Sequence, residues 1–515
     1  MLTIYQITVE WIHLNTAIPK PMITPMLLFL GFLLWYFYRV EKTQLFHRNQ
    51  TAEIKYKSPI TKEVKSLQLH QMISLTCPSL QTYFFPHPFL INGHLQTFHA
   101  SIFADYVFEP KVKFHRQVVN TPDGGVFSLD WSDLPKENGK RTPYLFILHG
   151  LTGGSHETYV QDLVIEAKKY GYASIVMNFR GCSETPVKSA QLYSGSFTGD
   201  VELSIQEIKK RDPSAVLFGV GFSLGSNVIV KYAGKMGANC PLIGVVSIGN
   251  PYDFLGSLRA LHRTWLGRYL YSIKMGQNLA RLLNKHHHAF KDCEWLDMDK
   301  VNKATNIMEF DAAATSKGFG YKTVHEYYRF GSCAIDIPYI TVPTLLLTAL
   351  DDPISNCEVI PYYEIESNPN VVLATTGAGG HLGWFKFSPE LVPTQRWFAK
   401  PISEFIHSIF EARFSLDEPL QIPQDPLPVG TPWHSLPEQA IEAQKILLGI
   451  KRNSIQLEKI QELSVQDSII QTNEPVPETE KTNTDTFLYI MKLLNINSTT
   501  IMYFLLGFLF KKYLK

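Results

Sequence analysis

The pentapeptide Gly221-Phe222-Ser223-Leu224-Gly225 is the part of the sequence best equipped for chemistry. It follows a run at 216–220 that reads as a strand and precedes one at 226–232 that reads as a helix. In a strand–turn–helix setting, G-x-S-x-G makes a sharp elbow that presents the serine at the carboxyl end of the sheet. Glycine suits both flanking positions, because larger side chains would strike the nearby strand or helix. A serine hydroxyl is a weak nucleophile and needs an adjacent base, itself oriented by a third group. With such an elbow the chain order is serine, carboxylate, histidine.

Downstream, a strand-like run at 344–348 ends in Ala349-Leu350-Asp351-Asp352-Pro353, where the carboxylate belongs. Asp352 is favoured, because Pro353 and Ile354 start a turn and put the later acid nearer the loop. Asp351 reads as a turn residue or strand-end cap. A further strand-like run at 371–374 leads to Gly377-Ala378-Gly379-Gly380-His381-Leu382-Gly383. A histidine on a glycine-rich loop can turn its ring toward the serine. His381 is expected to take the proton from Ser223, and Asp352 to set the tautomer of His381. Attack on an acyl carbonyl develops negative charge that two backbone N–H groups must meet. Leu224, the residue after the serine, is one expected donor. Leu151, in the loop His149-Gly150-Leu151-Thr152-Gly153-Gly154, is the other.

These groups need a scaffold that brings distant loops to one edge. Short apolar runs at 144–148, 173–177, 215–220, 242–248, 344–348 and 371–374 read as buried strands, separated by helix-length gaps. That alternation predicts an α/β fold with a mostly parallel, doubly wound sheet. The gap at 250–340 is too long for one crossover helix and reads as an inserted helical cap. The expected layout is a short segment at 1–20, an apolar stretch at 21–38, an extension at 39–110, the catalytic domain at 111–410, and a tail at 411–515. The tail is rich in proline near 415–435 and polar at 465–486, with one amphipathic stretch at 436–462.

Other chemistries fit less well. The formal net charge is +1, whereas nucleic-acid-binding domains usually carry a basic excess. The six cysteines are scattered and show neither zinc spacing nor a disulfide framework. His286-His287-His288 are adjacent residues, which diverge on a helix, and no second ligand group accompanies them. Gly153-Gly154 lacks the pattern of a phosphate loop. Neither a metal nor a cofactor is expected.

Residues 21–38 carry no charge, and such a length is at the lower limit for spanning a bilayer core of about 30 Å. The stretch reads as a retained single-pass anchor. Arg39, Lys42, Arg48, Lys55 and Lys57 follow it, against Lys20 alone before it. The positive-inside rule then places the catalytic domain in the cytosol, and the membrane expected is the endoplasmic reticulum or another endomembrane. The uncharged stretch 493–510, interrupted by polar residues, reads as membrane contact rather than a crossing.

Several of these motifs, together with Asn178-Phe179-Arg180-Gly181-Cys182, Asn92-Gly93-His94-Leu95-Gln96-Thr97 and the cap elements Phe310-Asp311, Gly318-Phe319 and Tyr327-Tyr328, resemble the AB hydrolase 4 family over about residues 85–410. The resemblance implies the α/β-hydrolase fold, the triad Ser223, Asp352 and His381, and an acyl ester or lipid substrate at a membrane. The function expected is a serine carboxylic ester hydrolase or lipase, acting through an acyl-enzyme on medium-chain acyl esters or monoacylglycerols. The alternative is an acyl-CoA:alcohol O-acyltransferase, which would use the same three residues with acyl-CoA and an alcohol as partners. A non-catalytic membrane binding protein would be expected to have lost the serine or the histidine.

Overall fold

The structure, a computed structural model, describes residues 20–57, 63–103, 112–132, 143–389 and 392–415. Residues 1–19 and the expected tail features from 416 onward, including 436–462 and 493–510, lie outside the described residues. The strands among the described residues are β1 (Gln44–His47), β2 (Glu53–Lys57), β3 (Val64–Gln68), β4 (Phe114–Asn120), β5 (Val126–Ser132), β6 (Pro143–Leu148), β7 (Ala173–Asn178), β8 (Val216–Phe222), β9 (Gly244–Ile248), β10 (Thr344–Ala349) and β11 (Val371–Thr376). The main helices are α1 (Lys20–Arg39), α2 (Leu69–Thr76), α3 (Gly93–Phe98), α4 (Thr158–Lys169), α5 (Gly199–Arg211), α6 (Leu224–Met236), α7 (Phe254–Arg263), α8 (Ser272–Lys285), α9 (Val324–Gly331) and α10 (Ala399–Ser415).

One sheet takes the order β1-β11-β10-β9-β8-β6-β7-β5-β4. The stretch from β11 to β7 is parallel throughout. Its strands are the apolar runs picked out in the sequence, and each is buried along its whole length. Helices cover both faces, so these strands are continuously apolar rather than alternating. Successive side chains still point to opposite faces. In β6, Phe146 and Leu148 pack with Ile205 of α5 and Val228 of α6. Leu145 and Ile147 pack with Leu163 of α4 and Phe405 of α10 on the other side.

The margins of the sheet were not read from the sequence. β1 adds antiparallel to β11, and β5 and β4 add antiparallel beyond β7. β5 is buried but carries Ser128 and Asp130, which disguise it as a polar segment. Asp130 is compensated by Arg116, 2.7 Å away, and by the amide of Asn178 at 2.8 Å.

Between β9 and β10 the chain is built of α7, α8, α9 and short helical turns, with no strand. Two of those turns, Gly267–Tyr271 and Asp311–Thr315, are π-helical. Such insertions are rare and frequent at functional sites.

The expected membrane anchor needs correction. Residues 21–38 do form one helix, α1, with Pro25 inside it. Its Ile23 and Tyr36 are buried, and the Tyr36 hydroxyl donates to Pro86 O at 2.8 Å. Among the described residues no helix is long and apolar enough to cross a membrane, so a single-pass span at 21–38 is not supported. Two side chains of α1 are thus committed to the protein, while Met26, Phe29, Leu30, Leu34 and Phe37 are exposed. The absence of charge in the sequence did not reveal that commitment.

Candidate active site

Ser223 lies at the junction of β8 and α6 with φ 52° and ψ −117°. Non-glycine residues rarely adopt that conformation, and it costs about 1–3 kcal/mol where surrounding structure enforces it. Here the Ser223 N–H donates to Ile248 O at the end of β9, 2.9 Å away. The Ser226 hydroxyl donates to Gly221 O at 2.5 Å and accepts from the Ile248 N–H at 2.8 Å. A Cβ on Gly221 would lie 2.4 Å from Gly225 O, and one on Gly225 would lie 2.4 Å from Leu148 O. Backbone packing, as expected, demands glycine at both positions.

The structure brings the three predicted side chains together. His381 Nε2 is 2.8 Å from Ser223 Oγ, and His381 Nδ1 is 2.8 Å from Asp352 Oδ2. A carboxylate only accepts, so Nδ1 carries the proton and Nε2 is left to accept from the serine hydroxyl. Asp352 is buried. Its Oδ1 accepts from the N–H groups of Ile354 and Ser355, both at 2.8 Å. These two bonds fix the carboxylate in its turn. Asp351 faces elsewhere, and its Oδ1 accepts from the Gly380 N–H at 2.8 Å. Rather than capping a strand end, it braces the loop that carries His381.

A second brace was missed in the sequence. In α3, Thr97 Oγ1 accepts from the His381 N–H at 2.8 Å and donates to Gly93 O at 2.7 Å. Gly93 packs so tightly on the acid loop that a Cβ there would lie 1.9 Å from Asp351 O. Gln96 accepts from the Phe385 N–H at 2.9 Å and donates to Leu90 O at 2.6 Å. The segment 92–97 entered the sequence reading only as a family signature. Its small and hydrogen-bonding residues were a signal, but nothing local says which loop they hold.

The two expected oxyanion donors border the same space. Leu224 is the first residue of α6, where N–H groups have no partner within the helix and the helix dipole is positive. In the Leu151 loop the neighbouring amides are engaged. Gly150 N–H donates to Tyr159 Oη at 2.9 Å, and Thr152 N–H donates to Tyr193 Oη at 2.8 Å. Among the described residues no acceptor takes the Leu151 N–H. His149 holds the base of this loop. Its Nδ1–H donates to Gly150 O at 2.7 Å, and its Nε2 accepts from the Phe179 N–H at 3.2 Å. Burial pushes the His149 pKa down to about 4, so the ring is neutral near pH 7. Asn178 accepts from the Ser155 N–H at 2.9 Å. The segment 178–179 is thus a scaffold for the Leu151 loop.

A cavity of about 110 Å³ opens on Ser223, Leu151 and Leu224 and runs beneath α7, α8 and α9. Its wall is largely apolar, with Phe254, Leu258, Leu261 and Leu279 among its residues. A larger groove of about 920 Å³ on the other side of α7, beside Arg259 and Trp265, reaches none of the three site residues. Among the described residues no three His, Cys, Asp or Glu gather as metal ligands. His286 instead bonds to Gly181 O at 3.2 Å. The arrangement can deprotonate Ser223 as it attacks, hold a developing oxyanion on two amides, and shelter an apolar group.

Comparison with known proteins identifies relatives of the chain. A family profile for "Serine aminopeptidase, S33" matches residues 139–360. The chain is 35% identical over 305 residues to the embryogenesis-associated protein EMB8 of Picea glauca, covering 58% of this chain and 66% of that protein. It is 32% identical over 361 residues to the monoacylglycerol lipase of Saccharomyces cerevisiae, covering 62% and 78%. It is 30% identical over 316 residues to the phospholipase ABHD3 of Homo sapiens, covering 60% and 75%. With the parallel sheet and its serine elbow, these similarities place the chain in the AB hydrolase 4 family of the α/β-hydrolase fold, as a serine ester hydrolase.

Proposed function

We propose that the protein hydrolyses carboxylic esters of lipid type through an acyl-enzyme on Ser223. The observation that carries this reading is the hydrogen-bonded chain Ser223–His381–Asp352 at the mouth of an apolar cavity. In the first half-reaction His381 Nε2 takes the Ser223 proton as Oγ attacks the acyl carbonyl. The oxyanion rests on the Leu151 and Leu224 amides. His381, its charge stabilised by Asp352, then protonates the leaving alcohol. In the second half-reaction His381 takes a proton from water as the water oxygen attacks the acyl carbonyl, and it returns the proton to Ser223 Oγ as the C–Oγ bond breaks and the fatty acid leaves. The apolar wall favours an acyl chain, and the relatives named for monoacylglycerol and phospholipid hydrolysis act on esters of this kind. A medium-chain ester or a monoacylglycerol is the proposed substrate. Met26, Phe29, Leu30, Leu34 and Phe37 of α1 are exposed, which suits contact with a lipid surface without a crossing.

The test is labelling of full-length protein by a fluorescent fluorophosphonate, which traps activated serines. Wild type should label and Ser223→Ala should not. Turnover of octanoyl esters should fall by about 10³-fold or more in that variant. Octanoyl ester products measured with and without added ethanol report any transfer to alcohol. A folded wild type that neither labels nor turns over an ester would sink this reading.

A further inference from the structure

The cavity that meets Ser223 is not uniformly apolar. Among the polar residues that line it are two from different parts of the cap, Ser257 of α7 and Asp311 of the π-helical turn. Ser257 is 7% exposed, and its hydroxyl has no hydrogen-bond partner. A serine within a helix commonly returns its hydroxyl to a carbonyl one turn back, and Ser257 does not. Buried hydroxyls are nearly always satisfied, so an orphan calls for an explanation. Asp311 is 5% exposed, and its Oδ2 accepts from the Tyr328 hydroxyl at 2.8 Å. Burial raises its pKa to about 6, although the hydroxyls of Thr315 and Tyr328 pull it down. A cavity meant only for methylenes would not include these two groups, since each is costly to leave against hydrocarbon.

We propose that this polar patch makes the cavity a binding site for acyl chains that carry a hydroxyl. The methylenes would lie on Leu258, Leu261 and Leu279, and the substrate hydroxyl would pair with Ser257 Oγ. Asp311 supplies the acceptor character of the same wall. No new covalent step is involved, because the ester is cleaved at Ser223 as before. The proposal rests on the ester-hydrolase reading and names its substrate class more closely.

The test compares p-nitrophenyl octanoate with hydroxyoctanoates substituted near the carboxyl, at mid-chain and at the far end, using full-length enzyme. Wild type should favour at least one hydroxylated chain by about tenfold in kcat/KM, the equivalent of about 1.4 kcal/mol. The readout in the variants is the ratio of hydroxylated to plain chain. That ratio should fall close to one in Ser257→Ala, recover in part in Ser257→Thr, and fall in Asp311→Asn. Equal turnover of plain and hydroxylated chains by wild type would overturn the proposal and leave the esterase reading standing. A preference that survives in both Ser257→Ala and Asp311→Asn would overturn it too. No turnover of any of these esters would count against the esterase reading, and the proposal would fall with it. The wild-type comparison decides even if a variant does not fold.

Discussion

Asp311→Asn measures what the cap gives up to keep a carboxyl in its interior. Burial moves the Asp311 pKa from 3.8 to about 6. A carboxyl whose folded pKa lies above its unfolded value contributes stability that is fully present below the unfolded pKa. That contribution is lost as pH rises through the folded pKa. A shift of this size costs about 3 kcal/mol once both states are ionised, at about 1.4 kcal/mol per unit. Asparagine keeps an acceptor for the Tyr328 hydroxyl and cannot ionise. It weakens the second hydroxyl contact, a loss of about 1 kcal/mol. Asp311→Asn should therefore exceed wild type in stability by about 2 kcal/mol at a pH of about 7.5. By the same linkage, wild type regains about 2 kcal/mol by a pH of about 4.5, so the two proteins should be nearly equal there. Urea unfolding of both full-length proteins at the two pH values, followed by circular dichroism, gives the difference directly. All other titrating groups are shared and cancel. A stability difference that does not change with pH, or a variant less stable than wild type near pH 7.5, would refute the reasoning.

Variants at five other positions have expected outcomes. Ser223→Ala should abolish fluorophosphonate labelling and ester turnover, as set out above. Asp352→Asn should lower kcat on an octanoyl ester by about 10³–10⁴-fold through the wrong His381 tautomer. Asp351→Asn, which keeps an acceptor for Gly380, should stay within about tenfold of wild type; steady-state kinetics would show the reverse pattern if the acid were misassigned. Thr97→Val strands the His381 N–H at a cost of about 1–3 kcal/mol, so kcat should fall and the acid limb of its pH profile should move, while Thr97→Ser restores both. An unmoved pH profile would make Thr97 merely structural. His149 is fully buried, and its folded pKa of about 4 lies below the ordinary 6.5. It therefore contributes stability that is present above pH 6.5 and lost as pH falls through about 4, in total about 3 kcal/mol. Urea melts across that window should be flatter for His149→Gln, and an equal slope would contradict a neutral buried ring.

Much of the site was readable from local sequence, because its chemistry depends on short-range geometry. An elbow needs glycines two residues either side of Ser223, and the strand before it must be apolar because both faces of a parallel sheet are covered. The same reason made β6 to β11 visible as uninterrupted runs, and their order along the chain put Ser223, the acid loop and His381 in the expected sequence. The strands at the margins were hidden. β5 carries a buried Asp130 whose cost is met by Arg116 and Asn178, partners that only the folded sheet brings near. The choice between Asp351 and Asp352 turned on which carboxyl the loop aims at His381. Sequence reasoning could favour the later one but could not see that the earlier one holds Gly380. Helix α1 looked like a span because an uncharged apolar stretch is common to anchors and to helices partly packed on protein. Tyr36 bonding to Pro86 is a contact across 50 residues. Thr97 under His381, and Ser257 and Asp311 lining the cavity beside Ser223, are likewise long-range placements. Periodicity and motif record what a segment does for its own backbone. Which polar groups share a buried space is decided only when distant segments pack, because burial and hydrogen bonding are properties of the assembled interior.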